Sequence, residues 1–206
     1  MQADGKIKLQ IVLSSEARQA LYDEGRIVGD KSRITFEDFE PAYKWMADQM
    51  AGKIAPPPAG VEAWPVWAWF KKDETGIVDP NDEEYEDQGL WVLTFEADPE
   101  QVVMSDFGDW HHVLNGWYLA DRHTADEGLA EDEAFSKELE SAGIEWADRP
   151  YPEPFWQRVT KSWERVFDVR EGEHGVQATF WVLNASQVIK EEPCKGTVPE
   201  QTLKCA

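Results

Sequence analysis

The segment Val102-Val103-Met104-Ser105-Asp106-Phe107-Gly108-Asp109-Trp110-His111-His112-Val113-Leu114-Asn115-Gly116-Trp117-Tyr118-Leu119 changes from a strand pattern to a helix pattern, and the rest of the chain is organised around it. Gln101 to Met104 reads as a short strand leading in. Asp106 stands at the N-cap, with Asp109 three places on as a carboxylate version of the capping box, and Gly116 is the left-handed residue that stops the helix. That leaves a helix of about ten residues. Phe107, Trp110, Leu114 and Trp117 recur at spacings of three, four and three, so they share one face, expected to be buried. His111, Asn115 and Tyr118 recur at four and three on a neighbouring stripe. Two rings and an amide there can converge on a ligand or be satisfied by the body of the protein.

Working outward, Lys6 to Leu13 alternates, with Ile7, Leu9, Ile11 and Leu13 on one face and Lys6, Lys8 and Gln10 on the other, the pattern of a strand with one wet face. Ser14-Ser15-Glu16 opens a helix that Gly25 closes, and Pro41 fits the first turn of a second helix striped by Trp45, Met46 and Met50. Pro56-Pro57-Pro58 delivers an extended chain into Val61 to Phe70, where period two separates Trp67 and Trp69 from Val66, Ala68 and Phe70. Leu90 to Glu96 and Val176 to Leu183 are further strands, and Phe155 to Phe167 is a helix that Pro154 starts. Strands at both ends with helices between them predict an α+β fold, a single domain around one mostly antiparallel sheet. Two acidic insertions, Lys72 to Gly89 and Asp121 to Asp148, read as a solvated loop and a weakly packed peripheral helix. The domain is expected to span residues 1–189, with 190–206 a flexible tail carrying Cys194 and Cys205 as exposed thiols.

At 206 residues the chain can bury a full core, and its 11 tryptophans place it far from a disordered composition. A formal net charge of −21 would repel phosphate backbones, which excludes direct nucleic-acid binding. The same acidity suits either plain solubility or a basic protein partner. No window reaches the roughly 18 apolar residues of a membrane span and the N-terminus carries no apolar leader, so a cytoplasmic protein without membrane contact is expected. Two cysteines near the end make no disulfide framework and no CxxC metal site.

Chemistry-bearing residues are sparse. Adjacent histidines on a helix diverge by about 100°, so His111 and His112 cannot both face one ion, and no HExxH spacing exists; no metal site is expected. Asp109 and His112 suit a surface pair. There is no GxSxG, P-loop or GxGxxG, and no catalytic residue or cofactor can be named. The candidate ligand-binding residues are Trp67, Trp69, His111, Asn115, Tyr118 and Gln177. The tryptophans can sandwich a flat ring or a cation, or simply pack in the core. Arg165 can fork a phosphate or carboxylate, or pair with Asp168 three residues on.

Pro57-Pro58 with Trp67-Ala68-Trp69-Phe70, Ser105-Asp106-Phe107 with Trp110-His111 and Val113-Leu114-Asn115, Trp163-Glu164-Arg165-Val166-Phe167-Asp168, and Gln177-Ala178-Thr179-Phe180-Trp181 follow one another in the order of an uncharacterised bacterial family, domain of unknown function 3841, which the chain resembles over most of residues 7 to 188. The resemblance implies a bacterial or phage intracellular protein and brings no activity with it. The first strand departs from the family pattern: Gln10 and Leu13 stand where the family tends to carry a Trp and a terminal Gln. Two functions of different class remain. One is a small protein binding a nucleotide-like ligand such as NAD, by fold-level analogy with ADP-ribosyl transfer enzymes. In that reading the tryptophans stack the ring, Tyr118 and His111 orient it, and Gln177 or Asn115 bonds the ribose. The other is a non-catalytic acidic inhibitor engaging a basic partner.

Overall fold

The computed structural model describes residues 5–34, 36–72, 76, 78–121, 125–170 and 175–197. Part of the first acidic insertion, the start of the second, Cys205 and the last residues of the expected tail lie outside the described residues. Among those described, the elements run β1 (Ile7–Ser14), α1 (Ser15–Glu24), β2 (Arg26–Val28), α2 (Glu40–Lys53), β3 (Val66–Lys71), β4 (Leu90–Ala97), β5 (Val103–Asp106), α3 (Phe107–Leu114), α4 (Ala125–Ser141), α5 (Phe155–Ser162), β6 (Val176–Phe180), β7 (Val182–Asn184) and β8 (Val188–Pro193). Six strands form one sheet in the order β5-β6-β3-β1-β4-β8, every pair antiparallel, and β2 pairs with β7 in a separate ribbon. The fold is α+β, as the order of strand and helix patterns predicts.

Local signals act where the sequence places them. The Ser14 hydroxyl accepts from the Ala17 amide at 3.2 Å to cap α1, and Gly25 leaves it at φ 77°. Pro41 sits in the first turn of α2. The Asp106 carboxylate caps α3 by accepting from the Asp109 amide at 2.7 Å. One face of the sheet is closed dry: Leu9, Ile11 and Leu13 of β1 pack with Leu93, Phe95, Ala178 and Phe180 beneath Leu21 of α1 and Ile27 and Leu183 of the ribbon. The opposite face has two separate covers. Helices α2, α3 and α5 lay Met46, Met50, Trp110, Val113 and Val159 over Val103 and Trp67, while the segment 78–85 lays Val78 and Tyr85 over Val12, Val92 and Trp69.

Four expectations change. The first acidic insertion is not solvated throughout, because Val78 and Tyr85 are apolar enough to clamp it onto the sheet. Helix α4 is firmly seated, since Phe135 and Leu139, four apart on one face, are both buried while Leu129 is left outside. Residues 190–193 are sheet rather than tail: β8 pairs along β4, and the Cys194 amide donates to the Leu90 carbonyl at 2.9 Å. An unpaired outer edge on β4 would expose a row of unsatisfied backbone groups, and β8 supplies the partner. Cys194 is 2 % exposed, and burial pushes its thiol up. Finally, α3 turns its buried side through Trp110 and Val113, leaving Phe107 38 % exposed, and it ends at Leu114 before Gly116 at φ 65°.

Candidate functional site

The sheet register assembles a row that no single stretch of sequence displays. Ser105 of β5 faces Gln177 of β6, Gln177 faces Trp69 of β3, Trp69 faces Gln10 of β1, Gln10 faces Thr94 of β4, and Thr94 faces Lys190 of β8. Partners in register point to the same side of a sheet, so these six side chains cross one face from edge to edge. That face is the one with two covers. The next row along, through Val103, Thr179, Trp67, Val12 and Val92, lies under the helices at one end and under segment 78–85 at the other. The polar row runs along the margin of both.

Trp69 joins the covers. Its ring stands 4.9 Å from that of Phe107 on α3 and also packs with the cluster of Val78 and Tyr85. Beside it opens a cleft of about 770 Å³ whose lining includes Lys8, Gln10, Trp69, Asp79, Thr94 and Lys190, with Asp82 and Glu192 also on its walls. Gln10 ties floor to wall: its Oε1 accepts from the Val78 amide at 2.7 Å, and its Nε2 reaches Thr94 Oγ1 at 3.5 Å. A second clasp holds the same segment. Lys72 Nζ donates to Glu84 at 2.7 Å and to the Tyr85 hydroxyl at 2.6 Å. Burial works to lower the Lys72 ammonium, but these two acceptors outweigh it and raise it, while burial pushes the Tyr85 phenol up.

Two side chains of the row stand out by what they do not touch. Ser105 is wholly buried and Gln177 is 6 % exposed, yet among the described residues neither Ser105 Oγ nor Gln177 Nε2 has a hydrogen-bond partner, nor does Trp67 Nε1. Buried polar atoms of this kind are few in folded proteins, because each unsatisfied group keeps its full desolvation cost.

Of the residues singled out in the sequence, Trp69 and Gln177 are register partners, and Trp69 is linked through the Phe107 ring to His111. His111 is exposed, its ring edge-on to Phe107 at 4.6 Å, and Nδ1 lies 2.8 Å from the Phe107 carbonyl. A carbonyl accepts only, so Nδ1 carries the proton, and in the neutral ring Nε2 is left as an acceptor. Trp67 sits one row deeper, tilted on Trp110 at 4.7 Å and edge-on to Tyr43, as a wall of the helical core. Asn115 is exposed and spends its amide on the His111 carbonyl at 2.7 Å.

Tyr118 leaves the stripe altogether. The left-handed turn at Gly116 breaks the helical phase, so Tyr118 is buried with its ring stacked on Phe135 at 4.3 Å and its hydroxyl donating to Glu131. Arg165 donates to both oxygens of the same carboxylate, at 3.0 and 3.2 Å, and to the Leu119 carbonyl at 2.6 Å, so its partner is Glu131 rather than Asp168. Burial alone would raise the Glu131 carboxyl; the Tyr118 hydroxyl, the Asp121 amide and Arg165 together hold it below the usual range. Tyr118 and Arg165 border a larger cleft of about 870 Å³ with Lys53, Arg158 and Lys161, but Arg158 is paired with Glu138, Lys161 with Glu164 and Arg165 with Glu131. This is a satisfied structural network.

Among the described residues, no three His, Cys, Asp or Glu side chains gather around a place for an ion, and no helix is long and apolar enough to cross a membrane. Residues 14–189 match the family described as domain of unknown function 3841. The chain belongs to that family. Neither a curated protein nor a solved structure matches it. Within the family 3841 match lie Trp69, Thr94, Ser105 and Gln177, whereas Gln10 and Lys190 of the same row fall outside it. Gln10, Thr94 and Ser105 are members of this row that sequence reasoning passed over. The signal available for them was a polar side chain at a period-two position in an otherwise apolar strand.

Proposed function

We propose that the chain binds a nucleotide-like ligand, NAD in the first place, in the cleft on the two-cover face of the sheet. The supporting observation is that the Trp69 ring stands with the polar side chains of Gln10 and Thr94, its neighbours in the row, in the lining of a cleft large enough for a small molecule. A base or nicotinamide ring stacks on such an indole for about 1 to 3 kcal/mol. The charges choose between rings. Of the carboxylates in the lining, Glu192 is paired with Lys190 at 2.8 Å and Asp82 with Lys72 at 3.8 Å, which leaves Asp79 without a cation partner among the described residues. An indole in a cleft that also carries the carboxylate of Asp79 favours a cationic aromatic ring, which the oxidised nicotinamide is and adenine is not. Lys8, with no carboxylate partner among the described residues, is placed to meet the diphosphate.

The competing reading, an acidic protein that engages a basic partner, rests on net charge, which speaks to solubility and association rate rather than to a site. Thermal unfolding with NAD, NADH and ATP tests the proposal. A ligand at 100 times its dissociation constant stabilises by about 2.7 kcal/mol. For a chain of this size that is a rise of about 5 °C or more. The expected order is NAD above NADH above ATP, lost in a folded Trp69→Leu variant. The absence of any rise, or a rise that survives in Trp69→Leu, overturns it. A transferase acting at the bond between ribose and nicotinamide would also release free nicotinamide, which the same incubations can be assayed for.

A further inference from the structure

We propose that the chain has a second binding site, on the face of the sheet opposite the cleft, and that it takes a small monocarboxylate with an apolar body. The inference is independent of the dinucleotide reading and rests on a separate cavity of about 440 Å³. Side chains alternate along a strand, so Phe95 and Ala97 of β4 point away from Thr94 and the cleft, and Phe180 of β6 points away from Thr179. Together with Val102 these residues belong to the dry core and also line the cavity. Another part of the wall is Ile54, Pro56 and Pro58, a stretch that Trp181 holds by donating its indole N–H to the Ala55 carbonyl at 2.6 Å. A lining of this kind takes up hydrocarbon, because the apolar surface of a ligand leaves water there.

The polar side chains of the lining narrow the head group. Arg26 and Asn184 are register partners across the β2/β7 ribbon. Asn184 is engaged with Gln187, whose Oε1 accepts from the Asn184 backbone amide at 2.8 Å and from its side-chain amide at 3.1 Å, while Gln187 Nε2 donates to the Glu96 carbonyl at 3.1 Å. Arg26 is different. It is exposed and forms no ion pair among the described residues, although Asp and Glu outnumber Lys and Arg by 41 to 20 in the chain. A guanidinium beside an apolar cavity offers two parallel N–H donors, the match for a carboxylate. Glu100 is the one carboxylate among the lining residues, and it balances Arg26. A single negative charge on the ligand can therefore be met, whereas a second would be set against Glu100, which favours a carboxylate over a phosphate monoester. The rest of the net charge of −21 is screened beyond about 8 Å at physiological ionic strength. The volume lies toward the lower end of the roughly 300 to 1,000 Å³ of small-molecule sites, so the ligand is smaller than a dinucleotide.

Calorimetric titration with octanoate, octanamide and octyl phosphate at physiological ionic strength tests this, since the three share one tail and differ only in the head. Octanoate is expected to bind about 10-fold more tightly than octanamide, which cannot make the charge-assisted bond to Arg26, and at least as tightly as octyl phosphate. Arg26→Gln, a change at an exposed position, should bring octanoate down to the level of octanamide and leave octanamide unchanged. Val182→Phe, which adds bulk at a half-buried residue of the lining, should weaken octanoate and octanamide alike. The proposal is overturned if octanoate does not bind, if octanamide binds equally well, if octyl phosphate binds more tightly, or if the preference for octanoate survives in Arg26→Gln. Undiminished octanoate binding by a folded Val182→Phe protein would overturn it as well, for the probe would then sit elsewhere.

Discussion

Replacing Trp110 by alanine is the sharpest probe of how α3 is anchored. The indole is 3 % exposed, 4.7 Å from the Trp67 ring and 5.7 Å from that of Tyr43, between α2 and the sheet. An aromatic side chain buries roughly 200 Å², which at about 25 cal/mol per Å² amounts to about 5 kcal/mol. Compactness of the unfolded chain removes about 10 to 40 % of that, and the cavity left behind adds part of it back. The expected loss is about 3 to 5 kcal/mol, the range seen when large rings are truncated in cores. Phe107→Ala on the same helix is the control. With 38 % of its surface in solvent it should cost about 2 kcal/mol or less. Equilibrium urea unfolding followed by far-ultraviolet circular dichroism reads both, provided the slope with denaturant is unchanged. A loss below about 1 kcal/mol for Trp110→Ala, or an equal loss for Phe107→Ala, would refute the anchoring argument.

Three further outcomes follow from the same geometry. Glu131 has its folded pKa held below the unfolded value, so its contribution is present above that value and is lost as pH falls through the folded one. The stability gap between wild type and Glu131→Gln should therefore narrow between about pH 5 and pH 3, and a gap that stays constant or widens would be contrary. Burial raises the phenols of Tyr22, Tyr43, Tyr85, Tyr118 and Tyr151, and Tyr22, also bonded to Glu191, is pushed up to about 12. Stability from these groups is complete below about pH 10 and is lost as pH rises through the folded values. Phenolate absorbance of the native protein should accordingly titrate later than that of the denatured chain, and Glu191→Gln should lower the highest value; coincident titrations would contradict this. Lastly, in a Cys205→Ser protein the remaining Cys194 is buried with its thiol raised, so it should react with an aromatic disulfide reagent only on unfolding. Immediate stoichiometric reaction of the native protein would mean that β8 does not hold it.

The amino-acid sequence by itself determined the elements that depend on neighbours a few residues apart. Ser14, Asp106, Pro41 and Gly25 act within one helical turn, and the alternation of Leu9, Ile11 and Leu13 needs only a sheet to lie on. The α+β class followed from the order of these patterns. Where local signals ran out, so did the reading. The stripe of His111, Asn115 and Tyr118 assumed one continuous helix, and a single left-handed residue, Gly116, rotated Tyr118 into the stack with Phe135. Acidic composition suggested solvated insertions, yet two apolar residues in one and two in the other were enough to dock them, because burial of a few side chains outweighs the average character of a segment. The site was legible only in part. Trp69 and Gln177 could be named from their residue types, but their meeting with Ser105 and Gln10 depends on strand order and register. Strands β5, β6, β3 and β1 are out of sequence order in the sheet, and a slip of one residue in any of them would turn its member of the row to the opposite face. Only the packing of the whole sheet, with the covers that demand one face be apolar and leave a margin polar, decides that register.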